Sequence, residues 1–260
     1  MQLTVRRAAA GLLASGLLVL TSPGSAFAAS PAPSKTAPSA PQLAQSTACA
    51  GLRQAARADP TVGNLKALGD CEINRRFTTL DTLAARVQSA TVLTAGARTA
   101  LAAEISGTQS GLTALKGTID ADTTVAQLRI DLPKIATQYR VYLLVAPQVN
   151  LVIGADAETV AIGKFQTLAA NLAGRIDGAK ANGRDVTAAQ ADLDAMDQNV
   201  ATAQTQVGPL VAGLLPLTPA QWNAGTAGPV LRAARSTEAS ARDLLRAARD
   251  DAAACVAALR

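Results

Sequence analysis

Residues 186–214 hold one helical register with almost no slip. Val186, Ala189, Leu193, Met196, Val200, Ala203, Val207, Leu210 and Leu214 alternate spacings of three and four. Such a stripe is the seam along which helices pack side by side in a coiled-coil manner. Comparable seams recur in four other segments, so nearly the whole chain reads as long helices. The expected fold is all-α: an elongated antiparallel helical bundle, built as two three-helix bundles sharing one long kinked helix. Alanine is abundant, which lets helices approach closely and keeps their cores thin.

The N-terminus carries an address. Arg6 and Arg7 precede a short apolar stretch over residues 8–20, interrupted by Gly11 and Gly16. Ser25, Ala26, Phe27 and Ala28 follow, with small residues where a signal peptidase reads. These features predict a secretory signal peptide over residues 1–28. The stretch falls short of the roughly 20 residues that a spanning helix needs. No transmembrane segment is expected after cleavage, and the expected location is secreted or extracytoplasmic, at a bacterial envelope. Residues 29–48 carry Pro31, Pro33, Pro38 and Pro41 among Ser, Ala and Thr, which predicts a disordered tether.

Composition excludes several functions. The formal net charge is +5, from 24 basic and 19 acidic residues. That balance is mild and evenly mixed, unlike the clustered charge of a nucleic-acid binder. Aromatic residues make up 2% of the chain, too few for base-stacking platforms. Histidine is absent, which removes the usual general base, the usual metal ligand and any Ser-His or Cys-His pair. No cofactor is expected.

Three cysteines, Cys49, Cys71 and Cys255, lack zinc-ligand spacing. In an oxidising compartment they predict one disulfide with one thiol left over. Their pairing depends on the architecture. Residues 49–69 read as short helices straddling Pro60. Residues 70–147 form the first bundle and residues 148–260 the second. The apolar run V-Y-L-L-V-A-P-Q-V-N-L-V-I-G-A at 141–155 has no turn residues around Pro147. A kinked but continuous helix through Pro147 is therefore expected, giving a rod of about 58 residues from the helix start and stop signals. In that tandem arrangement Cys71 and Cys255 lie at opposite ends, and Cys49 pairs with Cys71. The competing arrangement reverses at Pro147 into a compact six-helix bundle, where Cys71 and Cys255 share an end.

Few residue clusters carry chemistry. Asp120, Asp122 and Thr123 offer oxygens at near-alternate positions, but without the glycine and distal glutamate of an EF-hand. They read as a capping turn. Asp156 and Glu158 follow the apolar centre, where a carboxyl has a shifted pKa if buried or else pairs with Arg140 on an exposed face. Asp192, Asp194 and Asp197 avoid the seam and belong to a solvated face. Glu238 is the one polar residue in the last seam. Arg235, Arg242, Arg246 and Arg249 form a stripe that would grip an anionic polymer or lipid headgroup. Asp243, Asp250 and Asp251 dilute it toward a salt-bridged surface. Tyr139 and Tyr142 read as buried packing residues with hydroxyls at an edge.

The run Y-R-V-Y at 139–142, followed by L-L-V-A-P, resembles a group of secreted, helix-rich bacterial proteins of unknown function. Residues 111–123, G-L-T-A-L-K-G-T-I-D-A-D-T, and residues 214–219, L-L-P-L-T-P, look similar too. The likeness covers most of residues 71–260. It implies an exported coiled-coil-like protein, with no activity and no functional residues to carry over. The Gly208–Pro209 pair departs from that group and argues against a straight fifth helix.

The expected function is a non-catalytic structural or interaction protein of the envelope. Its partner would be another protein, an anionic cell-wall polymer or a second copy of itself. The alternative is a carrier of a small apolar ligand or lipid, using a slot around 141–155 lined by Tyr142, Leu144, Val149 and Val152.

Overall fold

The computed structural model describes the backbone from Ala40 and the side chains from Cys49 to Arg260. The segment expected as a signal peptide, 1–28, and residues 29–39 of the expected tether lie outside the described residues. The described residues are mostly helical, with no strand among them. The elements are α1 (Ala40–Ala58), α2 (Val62–Ser89), α3 (Ala95–Ala121), α4 (Val125–Asp131) and α5 (Lys134–Thr137). A wide π-type turn, Val141–Val145, leads into α6 (Ala146–Ala181). Then come α7 (Thr187–Val207), α8 (Leu210–Leu214), α9 (Pro219–Asn223) and α10 (Ala227–Ala258).

Local chemistry sets most of the boundaries. The hydroxyl oxygens of Thr61, Thr94 and Thr124 accept from the backbone N–H groups of Asn64, Ala97 and Gln127. Each satisfies a donor that the helix start leaves without a partner. Thr124 and Gln127 complete the capping box that their spacing predicts. Gly208 and Pro209 separate α7 from α8, because proline has no N–H to continue the ladder. The segment around Trp222 holds the short helix α9, opened by a second capping box at Thr218 and Gln221.

Three expected boundaries are corrected. The second helix starts at Val62 and not near Asp70, since Thr61 caps it directly after Pro60. Helix α1 takes in residues 40–48 of the expected tether. Pro41 stands in its first turn, where the missing N–H costs nothing. The third correction concerns the rod. The chain does continue through Pro147, but it breaks earlier, at Arg140, so the continuous path runs from Val141 through Ala181. Arg140 has φ 46°, ψ 35°, a left-handed conformation rare outside glycine. Asn223 bridges the break. Its Oδ1 accepts from Arg140 Nε at 2.7 Å, and its Nδ2 donates to the Thr137 carbonyl at 2.9 Å. The π-type turn relieves Pro147, because widening the preceding turn removes the clash of the ring with the carbonyl four residues back.

Two apolar cores form. The first gathers Ile73, Leu80, Leu101, Ile105, Leu112, Ile119, Leu144 and Val149. The second gathers Phe165, Leu172, Ile176, Leu193, Met196, Val200 and the α10 residues Ala241, Ala248 and Cys255. The expected division at residue 148 does not hold. Val149, Leu151 and Val152 join the first core, as do Leu214, Leu217, Ala227, Leu231 and Ala234. Both α6 and α10 therefore pass from one core to the other, where a single shared helix was expected. The seam of α10 is long enough to serve both.

Cys49 and Cys71 form a disulfide with Cα atoms 5.7 Å apart, the pairing expected for the tandem arrangement. It ties α1 to α2. Cys255 is free and buried. Burial raises its thiol pKa, with the charge of Asp192 adding to the effect, so the thiol stays protonated and inert.

Gly111 admits the Tyr139 ring, whose hydroxyl donates to the Gly111 carbonyl at 2.7 Å. A Cβ at 111 would collide with that ring. Gly111→Ala is expected to cost about 2 kcal/mol by overpacking, read by urea unfolding followed through Trp222 fluorescence. Wild-type stability would show that the ring moves aside freely.

Candidate functional site

The disulfide builds an arginine-lined pocket beside it. Arg53 stands one turn beyond Cys49 and its Nη2 donates to Glu72 Oε1 at 2.6 Å. Glu72 directly follows Cys71. Arg76 Nη1 donates to Glu72 Oε2 at 2.9 Å and to the Glu72 carbonyl at 2.7 Å. Arg75 stands 3.5 Å from the same carboxylate. Burial alone would raise the Glu72 pKa, yet hydrogen bonds from Arg76 and Arg53 and the charges of Arg76 and Arg75 hold it below the usual value. Three guanidinium groups against one carboxylate leave a local surplus of positive charge.

Leu68, Leu132 and Ile135 give this 290 Å³ pocket apolar walls. Gly69 keeps it compact, since a Cβ there would lie 2.7 Å from Leu132 Cδ2. Arg76 is only 7% exposed, and its Nε has no hydrogen-bond partner among the described residues. A buried donor without a partner is costly. The Tyr142 ring lies under both arginines, with guanidinium carbons 5.1 Å (Arg76) and 5.5 Å (Arg75) from its centroid. These are cation–π distances. Tyr142 is 37% exposed and so is a surface platform, not the buried residue expected. The reason is the break at Arg140, which turns the 141–145 segment so that Val141, Leu144 and Val145 face inward.

Three of the four residues expected to line a slot at 141–155 belong to the first core. Leu144, Val149 and Val152 are fully buried in the first core, and Tyr142 lies outside over the arginines. The four residues do not line one space.

A second cleft, of about 420 Å³, opens between α3, Tyr139 and the 215–219 loop. Glu104 and Thr108 face it from α3, and Leu215, Pro216 and Leu217 close the far wall. Burial pushes the Glu104 carboxyl up to about 7. Tyr139, whose hydroxyl reaches Gly111, stands between α3 and the 215–219 loop here.

Between the two cores lies a buried polar layer. Asp156 Oδ2 accepts from the Thr94 backbone N–H at 2.9 Å. Arg242 pairs with both Glu238 and Glu158, its Nε 2.8 Å from Glu158 Oε1. The latter is a close ion pair rather than an aligned hydrogen bond, since both Glu158 oxygens have no hydrogen-bond partner among the described residues. The Glu158 carboxyl is pushed up to about 7, first by burial and then by the charge of Glu238, against the pull of Arg242. Burial raises Glu238 as well. Gly154 makes room, since a Cβ there would lie 2.7 Å from Glu238 Oε1. Arg140 reaches Asn223 instead of either Asp156 or Glu158.

The arginine stripe of α10 is divided. Arg242 turns inward to the two glutamates, Arg246 pairs with Asp243, and Arg249 pairs with Asp250. The charge of Arg235 acts on Glu238. At the α3–α4 turn, Asp120 binds Lys116 and Asp122 caps α3. Burial, followed by the charge of Asp131, raises the Asp122 carboxyl. Asp194 accepts from Gln190 at 2.8 Å. Among the described residues, no group of three or more acidic or cysteine side chains could hold a metal ion.

No described helix is long and apolar enough to cross a membrane. A disulfide persists in oxidising surroundings outside the cytoplasm. Sequence reasoning missed the Arg53–Glu72–Arg76 group, although the i, i+4 spacing of Glu72 and Arg76 signals half of it. No family model matches the chain, and no curated protein or solved structure matches it either.

Proposed function

We propose that this chain is an exported, non-catalytic interaction protein that binds an anionic cell-wall polymer outside the cytoplasm. The observation carrying this reading is the convergence of Arg53, Arg75 and Arg76 on the single carboxylate of Glu72. Guanidinium groups hold phosphate and carboxylate through paired donors, and Arg53 and Arg75 keep part of theirs open to solvent. The polymer would meet this corner and not the α10 stripe, where Arg242, Arg246 and Arg249 are each paired with an acid. The disulfide supports an oxidising compartment and places Arg53 at the site, one turn from Cys49. The signal-like N-terminus supports export.

Cosedimentation with isolated wall fragments tests the reading. The protein is expected to pellet with intact wall at low salt and to be released as salt screens the charges. Arg53→Gln with Arg75→Gln is expected to weaken retention about tenfold, or 1.4 kcal/mol. Equal retention on wall stripped of its anionic polymer would refute the proposal. So would recovery of the natural protein from the cytoplasm with residues 1–28 still attached.

A further inference from the structure

We infer that the cleft between α3, Tyr139 and the 215–219 loop is a binding site for a small primary amine with an apolar body, anchored by the Glu104 carboxylate. The inference does not depend on the wall-binding proposal, which concerns a different surface.

Three observations converge. The first is space: about 420 Å³, within the range of small-ligand sites. The second is the wall. Ala100, Leu215, Pro216 and Leu217 offer apolar surface, and Thr108 adds one hydroxyl. The loop is also held in place before any ligand arrives. Gln148 Nε2 donates to the carbonyls of Leu214 and Leu215 at 2.8 and 3.1 Å, and the Thr218 capping box fixes the other end. A preformed wall lowers the cost of binding.

The third observation is Glu104 itself. Asp122 is also buried, with Oδ2 unpartnered beside Asp131 in the α3–α4 turn, but it lines neither cleft, and four other carboxylates drawn into the structure face a charge or a donor. Glu72 has three arginines, Asp156 has a backbone N–H, and Glu158 and Glu238 share Arg242. Glu104 is part-buried and takes no hydrogen bond or ion pair from any described residue. A desolvated carboxylate without a partner is costly. A cation in the cleft removes that cost, and an anion would raise it. A divalent metal needs several oxygen ligands, and no described acidic cluster supplies them. An ammonium group needs one carboxylate and a hydroxyl, which the cleft provides, while the apolar walls cover a short hydrocarbon or ring. Thus the occupant has one positive head and one compact apolar end.

Trp222, the only tryptophan, lies in α9, whose first residue Pro219 lines the cleft. Its fluorescence is the first readout of occupancy. The experiment titrates the full chain with 2-phenylethylamine and with its neutral analogue 2-phenylethanol, confirmed by calorimetry. At about pH 8 the amine is expected to bind at least about tenfold more tightly than the alcohol. Near pH 5.5 the preference is expected to shrink as Glu104 takes up a proton. Glu104→Gln is expected to bind both compounds equally, with an unchanged circular dichroism spectrum, because it removes no internal partner. Arg53→Gln with Arg75→Gln is expected to leave amine binding untouched. Absence of saturable amine binding up to about 10 mM, equal binding of the two compounds by the wild type, or a preference surviving in Glu104→Gln would each overturn the inference.

Discussion

Replacing Arg242 with alanine is expected to lower stability by about 3 kcal/mol at pH 8, because it strips the counter-charge from two buried carboxylates at once. For a domain of this size that is a fall in Tm of about 10 °C. Glu158 and Glu238 lie between two apolar cores, their oxygens without other hydrogen bonds except the one Glu238 accepts from Arg242. The loss is expected to depend on pH in a definite direction. Both carboxyls have folded pKa values raised above the ordinary one, Glu158 to about 7. A raised acid favours the folded state when protonated. For Glu158 the stabilising contribution is therefore complete below about pH 4.5 and is lost as pH rises through about 7, and Glu238 shifts it in the same direction. Removing Arg242 removes the main charge that pulls these values down and leaves only Arg235 acting on Glu238, so the window moves higher. The Arg242→Ala protein should approach wild-type stability near pH 5, and adding Glu158→Gln with Glu238→Gln should restore much of it at pH 8. Thermal melts across this range read the effect directly. A variant melting like the wild type at pH 8 would mean that water reaches the pair and screens it.

Removing the disulfide by Cys49→Ser with Cys71→Ser is expected to cost about 3 kcal/mol, the loop-closure value for a link spanning 22 residues. The damage should be local. Helix α1 packs on α2 and carries Arg53 to Glu72, whereas the second core lies on α6, α7 and α10. Hydrogen exchange is expected to show fast exchange through α1 and unchanged protection in α7. The Glu72 carboxyl should move upward as Arg53 leaves, since a hydrogen bond from Arg53 helps hold it down. Full protection of α1 in the variant would show that its packing on α2 suffices without the covalent tie.

The helices themselves were legible because each is encoded within a few turns. The seam from Ala189 to Val207 is buried as its spacing predicts. Thr94, Thr124 and the Gly208–Pro209 pair act where hydroxyl spacing and the missing N–H place them. Tyr142 went the other way. On an uninterrupted helix it joins the apolar stripe, but the left-handed turn at Arg140 rotates the next segment and leaves the ring outside. That turn is bridged by Asn223, 83 residues away, so nothing near Arg140 in the sequence announces it.

Charged side chains divide along the same line. The pairing of Arg246 with Asp243 follows from helical spacing. Arg242 sits in the same stripe yet turns inward, because α6 brings Glu158 opposite it. Glu104 reads as an ordinary surface acid until the 215–219 loop folds over it.

By itself the sequence determined helix content, capping, the interruption at Pro209 and the two-core division of apolar surface, all set by backbone hydrogen bonding and a repeat a few residues long. Only the tertiary structure decided which helices serve both cores, which arginines gather on Glu72 and which acids lose their water. Those outcomes depend on the desolvation and charge that one segment imposes on another distant in the chain.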